Sequence, residues 1–327
     1  MKKISLVAGV LVLGLSAAAC GGAKVEDDAA SAPSANAGGA SAAAAPAGTV
    51  KMAINGWVGY EASAAVVSYL LQHELGYTVK NVTLAEEPSW QGIESGDVDV
   101  IIENWGHDDL KKKYIDEKKV AVDAGLNGNN GVIGWYVPEW MTQKYPDITD
   151  WKNLNKYADL FKTSESDGKG QVLDGDPSFV TNDEALVKNL KLDYKVVYAG
   201  SEAALIKAAK QATEQKKPLL MYFYEPQWLF NQLKLVKVNL PAYTAGCDAD
   251  PKKVACDYPP YPLDKIVSKK FADTGGKGYD LVKNFQWTND DQNSVADDIT
   301  NNGMSAEDAA KKWVEANTAK WQAWMPK

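Results

Sequence analysis

From residue 49 onward, short β-branched apolar runs alternate with stretches in which apolar residues recur every three or four positions. Those two periods predict a strand at 50–54, a helix at roughly 61–75, a strand at 77–84 and a short helix at 88–96 opened by Pro88. A strand at 98–104 (VDVIIEN) and a helix at 109–119 follow, and 131–138 (GVIGWYVP) reads as an extended crossover. Strands at 171–174, 195–199 and 218–224 are separated by helices at about 178–190 and 202–215. A late strand at 264–270 and helices near 277–285, 290–300 and 305–324 close the chain. Such alternation predicts an α/β fold of mostly parallel sheets flanked by helices. The pattern restarts after 138–151, so two lobes fit better than one sheet: 49–134 with 244–327, and 135–243. The candidate hinges are 134–138 and a return near 241–243.

Upstream the pattern is different. Residues 1–20 (MKKISLVAGVLVLGLSAAAC) have Lys2 and Lys3, an apolar stretch and small residues, in the order of an export signal. The apolar stretch is too short to span a bilayer. The small residues end on Cys20, an arrangement resembling a bacterial lipobox, although Ala17 stands where a large aliphatic residue is usual. An ordinary secretory signal with an incidental Cys is the alternative. Residues 21–48 are almost entirely Ala, Ser, Gly and Pro, without an aromatic, and read as a flexible tether. The body is thereby expected outside the membrane, held near its surface by lipid.

The chain of 327 residues carries a net charge of −8. Without a basic stripe it is a poor partner for nucleic acid. All 35 basic residues are Lys, so no guanidinium fork is available to hold an anion. Trp (11) and Tyr (15) both outnumber Phe (6), and rings with electron-rich faces suit cations.

Catalytic constellations are scarce. Only His73 and His107 are present, and no phosphate loop, dinucleotide fingerprint, zinc helix or nucleophile elbow occurs, so no cofactor is implied. The acid pairs Glu86-Glu87, Asp97/Asp99 and Asp108-Asp109 read as a loop before Pro88, a turn, and the cap and first turn of a helix. Cys247 and Cys256, in a Pro- and Asp-containing stretch of an exported chain, predict a disulfide; a metal site lacks further ligands nearby.

Ligands in α/β proteins bind beyond the carboxyl ends of strands. Aromatic residues recur there: Trp57 and Tyr60 after the first strand, Trp105 after the third, Trp135 and Tyr136 at the crossover, and Tyr224 and Trp228 after 218–223. Rings converging from several loops make a box for a quaternary ammonium. Trp313, Trp321 and Trp324 instead fall near one face of the last helix, whose start at Ser305 resembles a capping box, and read as packing. Trp90, Trp140, Trp151 and Trp287 are read the same way.

At GWVGYEASAAVVSYLLQHELGY, SGDVDVIIENWGHDD, GWYVPEW, YEPQW and the closing AAKKWVEAN, in this order, the chain resembles the substrate-binding lipoproteins of ABC importers for glycine betaine, proline betaine, choline and related solutes. The resemblance implies a two-lobe type II periplasmic-binding-protein fold, with the ligand trapped between lobes. It implies that Trp105 and Tyr224, and less directly Trp57 and Trp135, form the aromatic box. It implies that the backbone N–H groups of Gly59 and Tyr60 hold a carboxylate, an apt role at a helix N-terminus. His107 joins the candidates, although one branch places its carboxylate-binding His four residues after the Trp rather than two. Gln227 stands where many relatives have His, and Tyr224 where Trp is common. The resemblance implies a lipid-anchored extracytoplasmic receptor, glycine betaine first and choline or carnitine as alternatives, working with a permease and its ATPase. A secreted carbohydrate-active enzyme is the rival from another class, and it requires two carboxylates facing each other across the cleft.

Overall fold

The computed structural model describes residues 47–327. The export signal with Cys20, and the tether through residue 46, lie outside the described residues. The first half runs β1 (Thr49–Ile54), α1 (Val58–His73), β2 (Thr78–Thr83), α2 (Glu86–Ser95), β3 (Val100–Asn104), α3 (Asp108–Lys111), a π-helical turn (Lys112–Glu117), β4 (Ala121–Pro138) and α4 (Glu139–Lys144). After a 3₁₀ helix (Trp151–Phe161) come β5 (Gly170–Asp174), α5 (Asp183–Asn189), β6 (Tyr194–Tyr198), α6 (Glu202–Glu214), β7 (Met221–Glu225), a 3₁₀ turn (Trp228–Asn231) and β8 (Leu235–Lys237). The chain ends with β9 (Tyr261–Ser268), α7 (Lys269–Thr274), α8 (Gly276–Asn284), α9 (Asn289–Thr300), α10 (Ala306–Ala316) and α11 (Thr318–Gln322).

The strands form two sheets that share β4. The first has the order β2-β1-β3-β9-β4, with β1 parallel to β2 and β3, and β9 antiparallel to β3 and β4. The second has the order β8-β4-β7-β5-β6, with β5 parallel to β6 and β7, and β4 antiparallel to β7 and β8. β4 changes sheets where Gly131, paired with Tyr261, gives way to Val132, paired with Glu225. The candidate hinge segment 134–138 is extended, and it is paired: Gly134, Trp135 and Tyr136 are laddered to Phe223, Tyr222 and Met221 inside the second sheet. Buried backbone needs hydrogen-bond partners, and one continuous strand supplies them through the crossing.

Each sheet is covered by helices for the reason its sequence gives. α1 buries Tyr60, Val66, Val67, Leu70 and Leu71 completely, each contributing about 1.5–3 kcal/mol of hydrophobic stabilisation. It packs on β1 and against α9 and α10. α6 starts at Ser201, whose hydroxyl accepts from the Ala204 N–H at 3.2 Å, and turns Leu205, Ile206 and Ala209 inward.

Other differences are local. The expected helix over 305–324 breaks at Asn317 (φ −122°, ψ 34°) into α10 and α11. Trp313 and Trp324 consequently stack face to face across the break, 5.7 Å between centroids, with Trp287 edge-on to Trp313. Ser305 does cap α10, but the reciprocal capping box is at Thr288 and Asp291 on α9. His107, not Asp108, occupies the cap position of α3. α2 begins at Glu86, so Glu86-Glu87 is helical rather than loop. Cys247 and Cys256 are disulfide-bonded, with Cα atoms 6.4 Å apart. Among the described residues no helix is long and apolar enough to cross a membrane.

Candidate functional site

Three parallel strands of the first sheet, β1, β2 and β3, deliver Trp57, Glu86 and Trp105 just beyond their carboxyl ends. The second sheet answers with Ile133 from β4, Phe179 and Val180 after β5, and Tyr222 and Tyr224 from β7. These eight residues line one small cavity.

Rings from the two sheets meet edge to face. Trp105 lies 5.6 Å from Tyr224 at 76°, and Trp57 lies 5.8 Å from Phe179 at 87°. Phe179 is in turn 6.2 Å from Tyr224 at 88°. The ring of Trp105 rests against the backbone of β4: a Cβ on Gly131 would stand 2.5 Å from its six-membered ring. Glycine at 131 is therefore required by the indole.

The polar ends of these rings are engaged by other groups of the protein. The Trp57 and Trp105 indole N–H groups both donate to Glu103 Oε1, at 2.8 and 2.9 Å. Glu103 Oε2 accepts from Gln292 and from the Ser63 hydroxyl, each at 3.1 Å. Burial pushes the Glu103 carboxyl above its ordinary range, against the pull of these four donors. Tyr224 donates to Glu202 Oε1 at 2.5 Å, and Tyr222 donates to the Val180 carbonyl at 3.1 Å. Burial, reinforced by nearby carboxylates, pushes both phenols well up and keeps them protonated donors. What remains inside is ring face and edge, with Glu86 as the one charged side chain of the lining.

The predicted residues separate into two groups. Trp57, Trp105 and Tyr224 come together on the cavity. Trp135 does not line it: fully buried, it donates at 2.7 Å to Asp183, which also accepts from Tyr258. Tyr60 sits behind Trp57 with its hydroxyl accepting from the Ile102 N–H. A Cβ on Gly59 would stand 2.2 Å from Gln292 Nε2 and would displace the amide that donates to Glu103. At the N-terminus of α1 the Val58 N–H is already taken by Glu202 Oε2 at 2.9 Å. His107 reaches the cavity only through Glu86, whose Oε1 lies 3.2 Å from its Nε2. Burial draws the imidazole down, but Glu86, with Asp109 and Glu87, outweighs burial and lifts its pKa.

Five lining residues were not anticipated: Glu86, Ile133, Phe179, Val180 and Tyr222. Signals for three existed. Glu86 follows the carboxyl end of β2, Phe179 follows that of β5, and Tyr222 alternates with Tyr224 onto one face of β7.

A family model for the substrate-binding domain of ABC-type glycine betaine transport systems matches residues 48–316. The chain belongs to this family. Members are solute receptors of ABC transport systems, working outside the cytoplasm with a permease. A trimethylamine N-oxide-binding protein from Pelagibacter ubique is 26% identical over 257 residues, 76% of this chain and 81% of that one. A glycine betaine/carnitine transport binding protein from Listeria monocytogenes is 28% identical over 124 residues, 38% of this chain and 37% of that one. Lactococcal OpuAC, solved closed with glycine betaine, superposes with a TM-score of 0.67 at 24% identity, covering 85% of this chain and 99% of that one. A choline-binding protein solved with choline gives 0.68 at 19%, covering 84% and 91%. These two likenesses establish the type II binding-protein fold of the family.

Proposed function

We propose that this family member traps the trimethylammonium head of a small solute in the cavity between its two sheets and presents it to the permease of an importer. The observation that carries the proposal is the convergence of Trp57, Trp105, Phe179, Tyr222 and Tyr224, with the N–H and O–H groups of the two Trp and two Tyr already engaged by the protein. A cation without hydrogens to donate loses little by leaving water for such walls and gains cation–π attraction.

The far end of the ligand is where the readings divide. Glu86 lines the cavity, and Glu202 occupies the first N–H of α1. Glu86 puts a carboxylate in the cavity itself, and Glu202 removes one donor from the start of α1, which together favour a cation with a neutral tail, choline. Glycine betaine is the second reading, favoured by the first-turn N–H groups of Gly59 and Tyr60, which by position have no intrahelical acceptor. A glycosidase reading needs a facing pair of acids, and Glu86 is alone among the lining residues.

The sheets are proposed as the cores of two lobes, 49–134 with 244–327 and 135–243, that close on the ligand. Cys20 is proposed to carry the lipid anchor. Calorimetric titration with choline, glycine betaine, carnitine and trimethylamine N-oxide tests the assignment. Choline is expected to bind tightest. Tighter binding of glycine betaine would move the assignment to the second reading, and no binding of any would overturn the proposal.

A further inference from the structure

Behind the cavity, Glu103 is fully buried on β3, at 0% exposure. One of its oxygens receives both cavity indoles, Trp57 from the β1–α1 turn and Trp105 from its own strand end. The other receives Ser63 from α1 and Gln292 from α9. Three of its four partners, the two indoles and the Gln292 amide, are N–H donors, while the Ser63 hydroxyl, which also reaches the Gly59 carbonyl at 3.1 Å, can donate or accept. Three N–H donors on one carboxyl favour the ionised form. Burying a carboxylate is costly even with good partners. If the only need were to satisfy two indole N–H groups, a neutral carbonyl or amide would serve.

We infer that Glu103 is a positioning and charge-selecting residue: it fixes both indole planes and supplies, from behind the rings, the negative charge that makes the cavity discriminate a trimethylammonium from a neutral group of the same shape. This inference rests on the aromatic-cage reading above. Its physical basis is twofold. A carboxylate accepting from indole N–H pushes electron density toward the ring face that meets the cation. It also attracts the cation directly across one ring, in a region dry enough that screening is weak.

The isosteric change Glu103→Gln separates charge from shape. The amide oxygen keeps both indole bonds. The new NH2 faces Ser63, which can accept, and Gln292, whose own Oε1 is buried without a partner and can turn to accept it. The test compares choline with its carbon isostere, in which tert-butyl replaces trimethylammonium. For folded Glu103→Gln, choline should weaken about tenfold while the isostere changes by less than about twofold. The exchange Glu103→Gln with Gln292→Glu returns the charge one hydrogen bond away and should recover most of the discrimination, which also covers a single variant that folds poorly. A wild-type choline-to-isostere ratio in Glu103→Gln, or equal weakening of both ligands, overturns the inference. Where wild type takes glycine betaine instead, the same comparison uses glycine betaine and its tert-butyl isostere; wild-type protein that binds neither solute overturns the cage reading and the inference with it.

Discussion

Removing the Trp105 indole separates binding from stability within one side chain. Trp105 is 5% exposed, lies edge-on to Tyr224, and rests on Gly131. A desolvated cation over such a ring gains up to about 2 kcal/mol, and about 1.4 kcal/mol is tenfold in affinity. Trp105→Ala should therefore weaken binding roughly 10–30-fold through that contact alone. It also opens a cavity and leaves Glu103 one donor short, which costs stability, about 3–5 kcal/mol for truncating a buried Trp. Trp105→Phe retains a ring face and should cost less affinity, while still losing the bond to Glu103. Trp313→Ala is the control: it removes a ring stacked on Trp324, away from the cavity lining, and should lower the melting temperature while leaving affinity per folded molecule intact. Isothermal titration of the folded fraction of each variant, alongside its thermal melt, measures both quantities. If Trp105→Ala binds like wild type, the ligand does not sit against this ring and the site is misplaced. If Trp313→Ala loses affinity as strongly as Trp105→Ala, the losses report general destabilisation.

Three further expectations concern other parts of the molecule. Glu86 raises the His107 pKa above its unfolded value of about 6.5, so the stability of this pair is fully present below that value and is lost as pH rises through the folded one. The melting-temperature gap between wild type and His107→Asn, a replacement that tolerates φ 56°, should be widest in acid and close toward alkaline pH; a gap independent of pH contradicts the pair. Reduction of Cys247–Cys256, or Cys256→Ser, should lower stability by roughly 2–3 kcal/mol, read in denaturant melts, and free thiols in the native exported protein would contradict the bond. Cys20→Ser should move the protein from the membrane fraction to the soluble one, and unchanged retention would rule out a lipid at that residue.

The alternation of strand and helix was legible because period-two and period-3.6 patterns report local burial. The crossing between sheets was not, because residues 131–138 look alike whether they hang free or ladder to β7; only the partner strand decides. Trp105 and Tyr224 were legible as loop-mouth and strand-end aromatics. Trp135 carried the same signal yet packs on Asp183, a contact between residues 48 positions apart that no local pattern encodes. Glu103 reads as part of an apolar strand, and its four donors come from three separate segments besides its own. Glu86 was hidden by its neighbour Pro88, which suggested a loop where the structure has the first turn of α2.

The central claim is that the cavity selects methylated nitrogen. The most direct measurement is calorimetric titration of wild-type protein with two methyl series, choline against its dimethyl and unmethylated amino-alcohol analogues and glycine betaine against dimethylglycine and glycine. In each series affinity should fall with every methyl removed, because an N–H cation must leave its water for walls of ring carbon. Equal affinity for the trimethylated and unmethylated members of both series would contradict the cage.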